Sequence, residues 1–201
     1  MPSSASFTSM MTFNIEDIER EKIAHGVLMI VAYVIIFPLA GLFLRISRLR
    51  HTVAIHGSLQ IFALVLSIAG LGLGIAMAKP LGLLSHYHPV IGMIVSAGLT
   101  IFQPAMGLLQ HQHFRKKGGK SIFAYIHRWF GRVMLTLGII NVGLGLHFVR
   151  VEYPSDAPWG AVIAVSVVIG IVGVTYVLVV ALTNRSRAKK AASGSDGSAS
   201  L

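Results

Sequence analysis

The stretch Ala124–Gly145, "AYIHRWFGRVMLTLGIINVGLG", decides how the chain is read. It opens with an ionisable ring at His127 and two arginines. It then runs for a helix length with no further charge. Working outward, the same texture recurs. Between Lys22 and Arg45 there are 22 residues without Asp, Glu, Lys or Arg, between Arg50 and Lys79 there are 28, and between Lys79 and Arg115 there are 35. Arg132 to Arg150 encloses 17 and Asp156 to Arg185 encloses 28. A spanning helix needs roughly 20 mostly apolar residues. Five gaps therefore predict five membrane spans, near 23–44, 53–78, 88–110, 123–149 and 158–182. Lipid offers no partner for an unpaired backbone group, and the runs show no period-two alternation, so each is expected to be a helix.

Composition agrees. Of 201 residues, 54% are hydrophobic and 12% charged, against about 25% charged in soluble domains. The net charge of +10 does not point to nucleic acid. The basic residues stand in short groups between apolar runs, as membrane-flanking residues do. The absence of cysteine excludes disulfides, thiolate metal sites and covalent haem attachment. The fold class expected is all-α, a bundle of five transmembrane helices. It comprises a polar N-terminal segment (1–22), a membrane domain (23–182) and a disordered basic, Gly/Ser-rich tail (183–201). The apolar run starts too late, and is too long, for a signal peptide.

Five spans place the termini on opposite faces. Face A, that of the N-terminus, holds Arg20, Lys22, Lys79 and Arg150. Face B holds Arg45, Arg48, Arg50, Arg115, Lys116, Lys117, Lys120 and the basic residues from Arg185 to Lys190. This asymmetry predicts that face B is cytoplasmic and the N-terminus extracytoplasmic.

Four of the nine histidines open spans: His25, His56, His88 and His127. Successive helices run in opposite directions, so His25 and His88 fall near face A and His56 and His127 near face B. Each has a glycine close by, Gly26 and Gly57 directly following, Gly92 and Gly131 four residues on, on the same helix face. Two imidazoles from different helices beside bare backbone suit a haem, whose iron takes two axial nitrogens and whose plane needs small neighbours. The reading is two non-covalent b-type haems, ligated by His25 with His88 and by His56 with His127. Arg128 and Arg132 stand near enough to meet propionates. A four-histidine zinc site fails on distance, since the two pairs lie at opposite ends of helices roughly 33 Å long. The set suggests two similar sites related by a pseudo-symmetry that swaps the membrane faces. Gln60, Gln103 and Asn141 are read as interhelical hydrogen-bonding residues, and Gly70, Gly72, Gly74, Gly143 and Gly145 as close-packing positions.

The motifs "HG" at His25 and His56, "HPVIG" at His88 and "HRWFGR" at His127 resemble the cytochrome b561 family. The resemblance covers roughly residues 20–182. It implies a four-helix core with one b haem toward each face, the ligands coming from helices 1 and 3 and from 2 and 4. Five helices with the core first are similar to the membrane half of the DOMON-linked branch. Transmembrane electron transfer follows as the expected function, from a cytosolic reductant such as ascorbate to a ferric chelate, monodehydroascorbate or an extracellular redox protein. Arg48, Arg50 and Lys120 are candidates on the donor side, and Lys79 and His86 on the acceptor side. Ascorbate-using relatives carry further flanking motifs that are not intact here. The alternatives are a haem-containing membrane anchor or assembly partner and a proton or metal transporter. A homodimer is left open.

Overall fold

A computed structural model describes the backbone of residues 4–119, 121–152 and 159–196, and the side chains of 17–119, 121–151 and 159–186. Lys120 lies outside the described residues. Among those described, the chain is all-helical, with no strand. Five stretches are long and apolar enough to cross a membrane: Asp17–Ile46, Thr52–Ala78, Tyr87–Lys117, Ile122–Val151 and Trp159–Ser186. They are the five spans expected from the charge gaps.

The first span is not a uniform helix. Helix α1 (Ser4–Ile30) passes into a π-helical turn, Val31–Ile36, and then into α2 (Phe37–Ile46). The cause lies in the sequence. Pro38 has no N–H to donate and its ring crowds the preceding turn. The Phe37 N–H reaches five residues back to the Ala32 carbonyl, so the widened turn absorbs the break. Helices α3 (Thr52–Ala78), α4 (Tyr87–Lys117), α5 (Ile122–Glu152) and α6 (Trp159–Asp196) follow, with a short 3-10 turn at Leu83–Ser85. Pro104 sits within α4.

The connections are short. Between α2 and α3, Ser47 Oγ accepts from the Leu49 N–H and shares a hydrogen bond with Thr52 Oγ1 (2.9 Å), while the Thr52 hydroxyl donates to the Leu49 carbonyl. After α3 the chain reverses at Gly82 (φ +68°), and after α4 at Gly118 and Gly119 (φ +61° and +86°). These are left-handed conformations that favour glycine. Helix α6 continues past residue 182, where a disordered tail is expected. From Asn184 to Ser193 there is no Gly or Pro, and Ala, Lys and Arg are strong helix formers.

The first four spans form most of the core, and the fifth packs against it through Val165, Val168 and Ile169. Of the most apolar stretch of the first span, 39% is buried against protein, and of the fifth only 6%. The fifth is fastened at its face-B end, where Arg45 Nε donates to Thr183 Oγ1 (2.7 Å) and Arg45 Nη2 to Asn184 Oδ1. Interhelical hydrogen bonds in membranes are worth about 0.6–2 kcal/mol. Arg45→Ala is therefore expected to lower stability by about 1 kcal/mol. Limited proteolysis after Arg185 in detergent would register the loosened helix.

The packed centre sits halfway along the bundle. Tyr33, in the π-turn, is 3% exposed, and Ser67 and Ser96 are 0% and 2%. The Tyr33 hydroxyl is 3.0 Å from Ser67 Oγ and 3.2 Å from Ser96 Oγ. Its ring lies against Gly138 and edge-on to Phe37, 5.4 Å between centroids. All four core spans thus meet at one hydroxyl cluster. Tyr33 stands eight residues after His25 and seven before Ala40, so about 10–12 Å of helix separates it from the histidine level at either end.

Candidate functional site

Each of the four span-opening histidines reaches a backbone carbonyl on a neighbouring helix. His25 Nδ1 lies 2.7 Å from the Gly70 carbonyl and His56 Nδ1 2.9 Å from that of Ala40. His88 Nδ1 lies 3.1 Å from the Asn141 carbonyl and 3.2 Å from Asn141 Oδ1, and His127 Nδ1 3.2 Å from the Gln103 carbonyl. A carbonyl oxygen can only accept. Each Nδ1 must therefore carry the hydrogen, and the lone pair of each neutral ring is left on Nε2. Metal-ligating histidines make this bond through the ring nitrogen turned away from the metal, and it fixes tautomer and orientation together.

Within a hairpin the bonds are reciprocal. The first span's histidine is held by the second span and the second span's by the first; the third and fourth spans do the same. The ligand pairs expected from the sequence run across the hairpins. His25 and His88 face each other with ring centroids 6.0 Å apart and planes at 86°. His56 and His127, the other expected pair, are held from Ala40 and Gln103.

A further regularity links the hairpins. His25, Tyr33 and Ala40 of the first span match His88, Ser96 and Gln103 of the third, each 63 positions later. His56, Ser67, Gly70 and Gly74 of the second match His127, Gly138, Asn141 and Gly145 of the fourth, 71 positions later. One hairpin is thus repeated, spans one and three running the same way. At the shared centre the buried Tyr33 ring has Ser96 as its counterpart.

The residues fit a bis-imidazole haem. A metal bound by two imidazole nitrogens at about 2 Å each holds the ring centroids roughly 6 Å apart, close to what the His25–His88 pair shows. Among the described residues, no three of His, Cys, Asp and Glu come together as a group able to hold a metal ion.

The other candidates fall as follows. At Gly26 and Gly57 an added Cβ would meet nothing within 4 Å. At Gly92 and Gly131 the space belongs to an amide. An added Cβ would come within 3.1 Å of Asn141 Nδ2 and 3.0 Å of Gln103 Oε1. Those amides belong to the residues whose carbonyls hold His88 and His127, and Gln103 Nε2 also donates to the His127 carbonyl (3.2 Å). Gln60 Nε2 donates to the Phe37 carbonyl at 3.4 Å. The amides of Gln60, Gln103 and Asn141 thus bond between helices, as expected.

Near face B, Leu44, Gln110, Phe114, Gly119, Ala124 and Arg128 line an open cavity of about 350 Å³. Arg128 Nε donates to the Ala124 carbonyl (3.0 Å). Arg132 instead lies over the Trp129 ring, 5.0 Å from its centroid. Arg48 and Arg50 are exposed on the loop before α3 and do not line the cavity. On face A, Lys79 is exposed, and His86 sits edge-on to Phe148 at 5.5 Å. Phe148 in turn stacks on His88 (6.2 Å, 28° between planes). Phe148 and Tyr33 are not distinguishable in the sequence from ordinary core aromatics; the repeat spacing is the signal that singles out Tyr33.

The family model described as "Eukaryotic cytochrome b561" matches residues 24–151, well over half of the chain. No solved structure matches the chain.

Proposed function

This chain belongs to the cytochrome b561 family, and on that premise we propose that it carries electrons across the membrane through two b haems, one near each face. The family is haem-binding and its members are transmembrane oxidoreductases. His25 and His88 would hold the face-A haem and His56 and His127 the face-B haem. The observation that carries the reading is the set of four imidazoles at two depths. Each gives its Nδ1–H to a carbonyl, so each keeps Nε2 for a metal. When bound, the haems supply one-electron chemistry. The protein supplies ligand orientation, spacing and access.

Face B is the cytoplasmic, donor face in this reading. The charge asymmetry supports the orientation, and the cavity beside His127's helix supports the entry. Arg128 lines that cavity with its Nε engaged, which leaves the outer guanidinium nitrogens to meet an anion. A small anionic reductant such as ascorbate fits that chemistry. Arg48 and Arg50 would raise its local concentration rather than touch it. On face A, the His86–Phe148–His88 aromatic contact supports an electron outlet at His86, toward a ferric chelate, monodehydroascorbate or a secreted redox protein. By helix count the chain is similar to the membrane half of the DOMON-linked branch, and a separate extracellular redox domain is a natural acceptor.

Arg128→Gln in proteoliposomes is the test of the entry. The reductant concentration giving half-maximal haem reduction is expected to rise by about tenfold, as for loss of one charge-assisted hydrogen bond. The saturating rate should change little. An unchanged half-saturation would move the entry elsewhere.

A further inference from the structure

Three of the four histidine rings share a second contact. A Cβ added at Gly74 would stand 2.8 Å from His25 Cε1, one at Gly145 2.7 Å from His88 Cε1, and one at Gly107 3.3 Å from His127 Cε1. In each case the glycine lies four residues after the residue whose carbonyl binds that ring: Gly70 then Gly74, Asn141 then Gly145, Gln103 then Gly107. Positions i and i+4 share a helix face. The ring is therefore tethered at Nδ1 to one turn and lies flat over the bare backbone of the next.

We infer that Gly74, Gly107 and Gly145 are ligand seats, positioning residues that set where each imidazole stands before a haem arrives. The inference rests on the bis-histidine reading above. Any side chain there meets the ring from behind. The ring cannot swing away without breaking its bond to the carbonyl. Sequence reasoning reads Gly74 and Gly145 as packing positions, yet their partners are the ligands themselves. The fourth ring has no seat. His56 is held by Ala40, and four residues on stands Leu44, which lines the face-B cavity. The two sites thus differ: both face-A rings are clamped, and only one at face B is.

The repeat supplies matched controls. Gly72 and Gly143 occupy equivalent places two residues before a seat, and an added Cβ there meets nothing within 4 Å. The experiment compares Gly74→Ala, Gly145→Ala, Gly107→Ala, Gly72→Ala and Gly143→Ala in the full chain. It reads haem per protein by the pyridine haemochrome method, and the low-spin ferric electron paramagnetic resonance spectrum, which depends on the angle between axial ring planes. Gly74→Ala and Gly145→Ala are expected to lose the face-A haem signal and keep the other. Gly107→Ala, where the overlap is slight, should keep its haem content but shift the face-B resonance. Both controls should match the wild type.

Wild-type content and spectra in all three seat variants would overturn the seats while leaving the bis-histidine reading intact. A wild-type protein with fewer than two haems would sink that reading instead. Should Gly74→Ala and Gly145→Ala fail to fold, Gly107→Ala decides alone, because its neighbour need give only a few tenths of an ångström. An unshifted face-B resonance there counts against the seats.

Discussion

Replacing His88 with alanine is expected to halve the haem content of the purified protein. The chain has no cysteine, so no covalent bond can retain a macrocycle that has lost an axial ligand. His88 is held by both oxygens of Asn141 and stacked by Phe148, so its ring stands ready to ligate. Without it, His25 faces an empty place across the bundle. The His56–His127 pair lies at the other end of the helices and shares no side chain with the first. Its haem should stay, with its own α-band and potential. His127→Ala should give the mirror result, keeping the face-A haem and losing the other. Quantifying haem per protein by pyridine haemochrome in both variants tests this. Undiminished content in either would remove that residue from the ligand set.

The second large effect is expected at Gly138. An added methyl group would overlap the Tyr33 ring, which is itself wedged among Ser67, Ser96 and Phe37. The tyrosine is buried where all four core spans meet, so it has nowhere to retreat. Overpacking a closed core costs about 1–3 kcal/mol. Displacing the hydroxyl adds about 1–2 kcal/mol for interhelical hydrogen bonds in lipid. Gly138→Ala should therefore destabilise by roughly 3 kcal/mol. A large fall in the detergent melting temperature should follow, with both haems lost together on heating. Tyr33→Phe removes only the hydroxyl and should fall by much less. Equal melting of Gly138→Ala and wild type would mean that the ring has room the packing does not show.

The spans were legible because charge is costly in lipid: from Lys22 to Arg45 or from Arg50 to Lys79, an uncharged run of that length has one plausible home. The histidine pairs were legible because antiparallel helices turn sequence order into depth. What holds those rings was not. The acceptors at Gly70, Ala40, Gln103 and Asn141 are backbone carbonyls, and a carbonyl carries no residue identity. Which one faces a given ring depends on the sliding register of two helices, and no single residue encodes that. The π-turn was half visible: Pro38 announces a break, but whether the chain kinks or widens is decided by what packs there, and Tyr33 packs there. The glycines at 92 and 131 lie on the same helices as His88 and His127, yet the space they leave goes to the amides of Asn141 and Gln103. Only the Asn and Gln side chains themselves could have suggested it.

The most direct test is a potentiometric titration of the purified wild-type protein, followed at the haem α-band, with haem counted per chain. Two b haems titrating reversibly at separable potentials are expected. A single haem, or none, would contradict the proposal that His25 with His88 and His56 with His127 form a two-centre path across the membrane.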